Sequence, residues 1–186
     1  NQRQKALVSL NKVLEQDETF GIGMNGEISA VTFGLYAQED ITAADGSVIP
    51  ADGLLEIVSV NENGQAVCST DLPFGSFYLK ELSTDSHYLP SGETFPFTFE
   101  YGGPSIAVVE ISANDGEAVT NELIRGEIKG LKTDENGTGL GGAVIGLFKS
   151  NETEFTAENA LATATSAEDG SFSFAGVPYG NWVLKE

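Results

Sequence analysis

The sequence has 186 residues with 28 acidic and 9 basic side chains, a net charge of −19. Such a surface repels phosphate backbones, which excludes nucleic acid as a partner and makes an anionic membrane a poor one. One cysteine (Cys68) and one histidine (His87) exclude an internal disulfide and a Cys/His metal cluster.

The length allows one or two domains, and a hydrophobic share of 40% argues against disorder. No apolar run approaches the ~20 residues of a membrane helix. Asn1 begins no signal peptide, so we expect an internal or mature fragment with no direct membrane insertion.

The first element is Val8–Leu14, read as a strand, although Leu7, Leu10 and Leu14 also fit helical spacing. The stretch Gln16–Ser29, which lengthens the spacing between Lys12 and the Phe33–Tyr36 run, follows and reads as an inserted loop or hairpin. Ala30-Val-Thr-Phe-Gly-Leu-Tyr36 is the next apolar run, and Asp45-Gly46, Asp52-Gly53 and Asn63-Gly64 are turn dipeptides beside further strands. Cys68, inside one of these, reads as a small buried hydrophobe. Pro73–Glu81 is a strand, and His87 falls in an exposed loop. Phe95–Tyr101 places aromatics at 95, 97, 99 and 101 on one face, more suited to a core than to a sugar-stacking platform. Ala118–Asn121 is the last strand before a boundary near 121–126. Beyond it the turns Asn136-Gly137 and Asp169-Gly170 repeat the pattern, with short helical turns allowed around Glu152–Glu158. The economical fold is an all-β sandwich.

The chain also resembles itself. Pro73-Phe-Gly-Ser-Phe-Tyr-Leu-Lys-Glu81 recurs as Pro178-Tyr-Gly-Asn-Trp-Val-Leu-Lys-Glu186, and Ala30–Tyr36 recurs as Gly142–Phe148. Two tandem modules are expected, residues 1–123 complete and residues 124–186 lacking their final strands.

Alternation then puts polar residues on apolar faces. Phe77 and Leu79 share a face with Glu81, Val8 and Leu10 with Lys12, and Val119 with Asn121. The second copy repeats the pattern with Ile128, Gly130 and Lys132, and with Trp182, Leu184 and Glu186. Burying a lysine, a carboxylate and a carboxamide is costly unless they meet. If they meet, burial favours neutral amine and neutral acid. A neutral amine is then a nucleophile beside an electrophilic carboxamide carbon, with an acid to polarise it. The product is an isopeptide bond from Lys12 Nζ to Asn121 Cγ. The same pattern also fits an ordinary Lys12–Glu81 salt bridge, or a lysine that snorkels to the rim.

Gly126–Gly137 with Lys132, Gly142–Phe148, Asp169-Gly170 and Pro178–Glu186 resemble a collagen-adhesin B-type repeat, the SpaA-like, prealbumin-like domain of Gram-positive surface proteins and pilins. The first module resembles it through Val8–Lys12, Phe33–Tyr36, Leu72–Glu81 and Val119–Glu122. The resemblance implies tandem transthyretin-like (reverse Ig-like) sandwiches and a spontaneous Lys–Asn bond, here Lys12 to Asn121 with Glu81 as proton shuttle. It leaves Lys132 and Glu186 without a bonded asparagine. Lys12 lacks the glycine and aspartate that flank Lys132, which makes Lys5 the fallback, although its parity with Val8 and Leu10 is wrong.

No metal loop, phosphate loop or hydrolase motif survives inspection; Asp134-Glu-Asn136-Gly reads as a turn rather than a calcium loop. The expectation is a non-enzymatic stalk or spacer of a cell-wall-anchored, extracellular adhesin or pilus-like protein, without cofactor or metal. Its partners would be further modules of its own chain. The alternative is a sandwich that binds host matrix protein or carbohydrate through its end loops.

Overall fold

The computed structural model describes residues 3–186, and they form an almost entirely β structure in two compact units. Unit 1 comprises residues up to Glu15 and Gly23–Glu122; unit 2 comprises Gln16–Ile22 and Leu123–Glu186.

In unit 1, β1 (Lys5–Leu14) is a strand over the whole stretch that also fitted helical spacing. Val8, Leu10, Lys12 and Leu14 are buried in strict alternation while Leu7 is exposed, so the period is two. The chain then forms β2 (Thr32–Ala37), a small hairpin of β3 (Ile41–Thr42) and β4 (Val48–Ile49), β5 (Leu54–Ser59), β6 (Gln65–Val67), β7 (Gly75–Ser83), β8 (Thr94–Phe99), β9 (Val108–Ser112) and β10 (Val119–Asn121). One sheet is antiparallel, in the order β5-β2-β7-β8. The other is built on β1, which pairs antiparallel with β6 and parallel with β9 and then β10.

The core of unit 1 is aromatic. Phe33 meets Phe95 edge to face at 6.4 Å, and Phe77 stacks on Phe97 at 5.6 Å. Phe95, Phe97 and Phe99 are all buried; Tyr101, expected on the same stripe, lies past the end of β8 and is exposed. Cys68 is buried just beyond β6, and burial, with the Glu56 carboxylate, pushes its thiol up to about 12. At neutral pH it is an inert thiol.

Unit 2 consists of β11 (Arg125–Leu131), β12 (Val144–Lys149), β13 (Ala162–Thr165), β14 (Ser171–Pro178) and β15 (Trp182–Lys185), in a β11-β14 pair and a β13-β12-β15 sheet. Ile145, Leu147, Phe174 and Val177 form its centre. The stretch read as one inserted loop, Gln16–Ser29, divides between the units. Residues 16–22 close a tight turn, in which Asp17 accepts from the Phe20 amide and pairs with Arg125 at 3.0 Å. Phe20 then packs edge to face on Trp182 at 5.0 Å, inside the unit 2 core. The remainder belongs to unit 1, where the Glu27 carboxylate accepts from the amides of Gly23 and Asn25 before a 3-10 turn over Glu27–Ala30. Glu152–Glu158 forms no helix; a turn starting at Thr156 follows extended chain.

Candidate functional site

Three strands of unit 1 carry the three polar residues of the site. Lys12 enters from β1, Glu81 from the end of β7 and Asn121 from the end of β10. Each follows core residues of the same face: Val8 and Leu10, Phe77 and Leu79, and Val119. The parallel β1–β10 pairing sets Lys12 opposite Val119 and Leu14 opposite Asn121, so β1 and β10 send the amine and the carboxamide to the same side. All three side chains are buried; the residues are 2%, 5% and 1% exposed, which removes the rim-snorkelling option for Lys12.

Their contacts form one cluster. Lys12 Nζ donates to the carbonyls of Val119 at 3.0 Å and Val13 at 3.3 Å, and stands 3.8 Å from Glu81 Oε2. Asn121 Nδ2 donates to Glu81 Oε1 at 2.7 Å and to Thr84 Oγ1 at 3.0 Å. Two buried atoms, Glu81 Oε2 and Asn121 Oδ1, make no hydrogen bond. Burial lowers the Lys12 pKa from 10.5 to about 8, with the Glu81 charge acting in the opposite direction. A pairing that leaves two buried acceptors unpartnered is a poor way to hold a structure together, and such groups mark places where chemistry is stored.

Two participants were not legible as such. Gly64, the glycine of the Asn63-Gly64 turn, lies at φ +78°, and its carbonyl accepts from the Lys12 amide at 2.6 Å. A Cβ there would stand 2.3 Å from the Lys12 carbonyl oxygen, so glycine is required for this close approach. Gly170 has the same relation to Lys132: φ +83°, an amide-to-carbonyl bond of 2.8 Å, and a Cβ position 2.1 Å from the Lys132 oxygen. The repeat of this contact in both units is the signal that could have revealed it. Thr84 is the other, because strict strand parity sends it away from Glu81; the β2–β7 register slips by one residue between Glu81 and Ser83, which returns Thr84 to the side of the cluster.

The fallback Lys5 is exposed. In unit 2, Lys132 pairs with Glu186 Oε2 at 2.9 Å, with side chains 29% and 55% exposed. Glu186, expected at a position equivalent to the buried Glu81, is therefore a surface carboxylate. Among the described residues β11 pairs with β14 alone, so Lys132 has no parallel neighbour of the kind β10 provides for Lys12. Also among the described residues, no group of His, Cys, Asp and Glu is arranged to hold a metal, and no helix is long and apolar enough to cross a membrane.

The fold defines a prealbumin-like β-sandwich, and residues 126–186 match the model of the SpaA prealbumin-like fold domain. The resemblance carried by the motifs of the second copy is thus borne out over those residues. Among solved structures, the chain is similar to the Bacillus anthracis TIE protein, at 21% identity and a TM-score of 0.65. That match covers 98% of this chain and 28% of that one. It is also similar to a C-terminal fragment of the pilus adhesin SpaC from Lactobacillus rhamnosus GG, at 12% identity and a TM-score of 0.53, covering 98% of this chain and 74% of that one. At these identities the likeness is one of fold. The chain spans little more than a quarter of the length of the first of these structures. No curated protein matches the sequence.

Proposed function

We propose that this chain is a load-bearing, extracellular part of a Gram-positive surface protein of the pilus or adhesin type, closed in unit 1 by an isopeptide bond between Lys12 and Asn121. The observation that carries the reading is the convergence of three buried polar groups from three strands, two of them left with unpartnered atoms. The fold it shares with a pilus adhesin fragment supports the setting.

In the reaction, a proton passes from Lys12 Nζ to Glu81, leaving a neutral amine beside a neutral acid. The amine adds to Asn121 Cγ while Glu81 polarises the carboxamide. Glu81 then moves one proton from Nζ to Nδ2, the Cγ–Nδ2 bond breaks and ammonia departs. Holding the groups in contact supplies a large effective molarity. The chain acts once, on itself, and is not an enzyme.

Such a bond joins the first and last strands of the unit. By analogy with a disulfide, closing a loop of ~100 residues constrains the unfolded chain by about 4.7 kcal/mol in the entropic description. The mechanical consequence is larger, because pull at the ends of the unit passes through a covalent link and the terminal strands need not unzip. Open states that proteases attack become rarer. Unlike a disulfide, the link does not respond to reductants.

Intact-mass measurement tests the proposal. The expected mass is lower than the sequence mass by one ammonia, and Glu81→Ala is expected to restore the full sequence mass. A wild-type chain at full sequence mass would show that no bond forms.

A further inference from the structure

We propose that the Thr84 hydroxyl is a catalytic donor in this reaction, forming with Glu81 a two-sided cradle for the Asn121 carboxamide oxygen as it becomes an oxyanion. The inference rests on the reading that Lys12 and Asn121 react.

The carboxamide of Asn121 is held at one end only. Nδ2 faces both Glu81 Oε1, at 2.7 Å, and Thr84 Oγ1, at 3.0 Å, while the buried Oδ1 faces no donor. This is the arrangement that suits an ionised Glu81, which only accepts. It does not suit the reaction. Addition of an amine to Cγ drives negative charge onto Oδ1, and an oxyanion buried without a donor is strongly disfavoured.

A half-turn about Cβ–Cγ exchanges Oδ1 and Nδ2, two groups of nearly the same size. Once the Lys12 proton resides on Glu81, that turn brings Oδ1 between the Glu81 O–H and the Thr84 O–H. A threonine hydroxyl donates as readily as it accepts. The two positions now occupied by hydrogen bonds to Nδ2 lie at the distances an oxyanion cradle requires. The remaining polar neighbours, the carbonyls of Val13 and Val119, accept from Lys12 and have no proton to give. Thr84 keeps its own proton throughout. Nζ–Cγ forms while Glu81 Oε1–H and Thr84 hold Oδ1. At the tetrahedral carbon Oδ1 and Nδ2 are neighbours within reach of the same carboxyl. Glu81 therefore gives its Oε1 proton to Nδ2 as Oε2, the oxygen on the lysine side, takes one from Nζ; Cγ–Nδ2 breaks and ammonia leaves.

The test follows bond formation in the full chain, released from cell-free synthesis and sampled by intact mass after quenching in denaturant. Thr84→Val keeps the shape and removes the donor; the rate of ammonia loss is expected to fall about 10²-fold, as when one oxyanion donor is removed elsewhere. Thr84→Ser is expected to react within a few-fold of wild type. The pH at which the rate changes, set by the Lys12 proton, should not move in either variant, whereas a displaced site would shift it. If Thr84→Val is folded by near-UV circular dichroism and reacts at the wild-type rate, the Thr84 role is overturned and the Lys12–Asn121 bond stands. If Thr84→Val does not fold, Thr84→Cys replaces it, with a slower rate expected from the weaker donor; a wild-type rate there overturns the role. A wild-type chain that never loses ammonia overturns both proposals.

Discussion

Each unit holds a lysine against the same kind of turn glycine, Lys12 inside β1 and Lys132 one residue past the end of β11, and yet presents it to different surroundings. Lys12 is enclosed, 3.8 Å from the Glu81 carboxylate that also holds the Asn121 carboxamide, whereas Lys132 meets Glu186 at 2.9 Å on a half-open surface. The shorter ion pair is the weaker contributor. Water screens Lys132 and Glu186, so their attraction is modest, while Lys12 and Glu81 have lost their hydration and depend on each other. Distance alone is a poor guide to what a charged pair does; burial decides whether it is decoration or chemistry.

The largest effect should come from breaking the buried cluster. Glu81→Ala is expected to abolish ammonia loss and to lower the stability of unit 1 by at least about 3–5 kcal/mol, because Lys12 is left buried without its counter-charge and the chain also forgoes the cross-link. Chemical denaturation of the variant against wild type measures this.

The same comparison predicts a pH response. Below about 8 Lys12 carries the proton it can pass to Glu81; as pH rises through about 8 that proton is lost to solvent, and none is left to assist ammonia's departure. Bond formation should therefore slow as pH is raised through about 8, in a time course followed by mass.

The glycine contacts should cost the two units alike. Gly64→Ala and Gly170→Ala each place a side chain at positive φ against a lysine carbonyl, and each should destabilise its unit by about 1–3 kcal/mol. Gly64→Ala should also slow the Lys12–Asn121 cross-link, because it displaces the lysine that shares the buried cluster with Asn121, whereas Gly170→Ala should leave that reaction unchanged. An equal rate in Gly64→Ala would show that the lysine backbone position does not matter to the reaction.

Phe20→Ala is expected to destabilise unit 2 by about 2 kcal/mol, through the lost burial and the lost ring contact with Trp182, and to leave ammonia loss from unit 1 unchanged. Glu186→Ala should be the mildest change, below about 1 kcal/mol and fading further in high salt. Thermal melts at low and high ionic strength resolve it.

Much of unit 1 was legible because β-strand alternation is a strict rule. Once Val8 and Leu10 are inward, Lys12 must be inward, and Phe77 and Leu79 impose the same on Glu81. Failures occurred where strands stop or slip in register. Tyr101 continues the parity of Phe95–Phe99 but lies beyond β8, and Thr84 violates the parity of β7 because its pairing with β2 slips by one residue between Glu81 and Ser83. Alternation also treated Glu186 as the equal of Glu81; exposure depends on how many neighbours cover a face, which no single strand encodes. The Gln16–Ser29 stretch was recognised as an insertion, but reading it as one loop concealed that its first half, with Phe20 packed on the core and Ile22 buried, belongs to unit 2.

The sequence by itself determined the all-β character, the repeated motifs and the inward parity of Lys12, Glu81 and Asn121. These follow from local periodicity and turn chemistry, which act over a few residues. Tertiary structure alone decided that the three side chains meet, that Thr84 joins them and that Lys132 remains half-exposed. Those outcomes depend on strand pairing across long separations and on the depth of cover, because contact and desolvation are properties of neighbours in space.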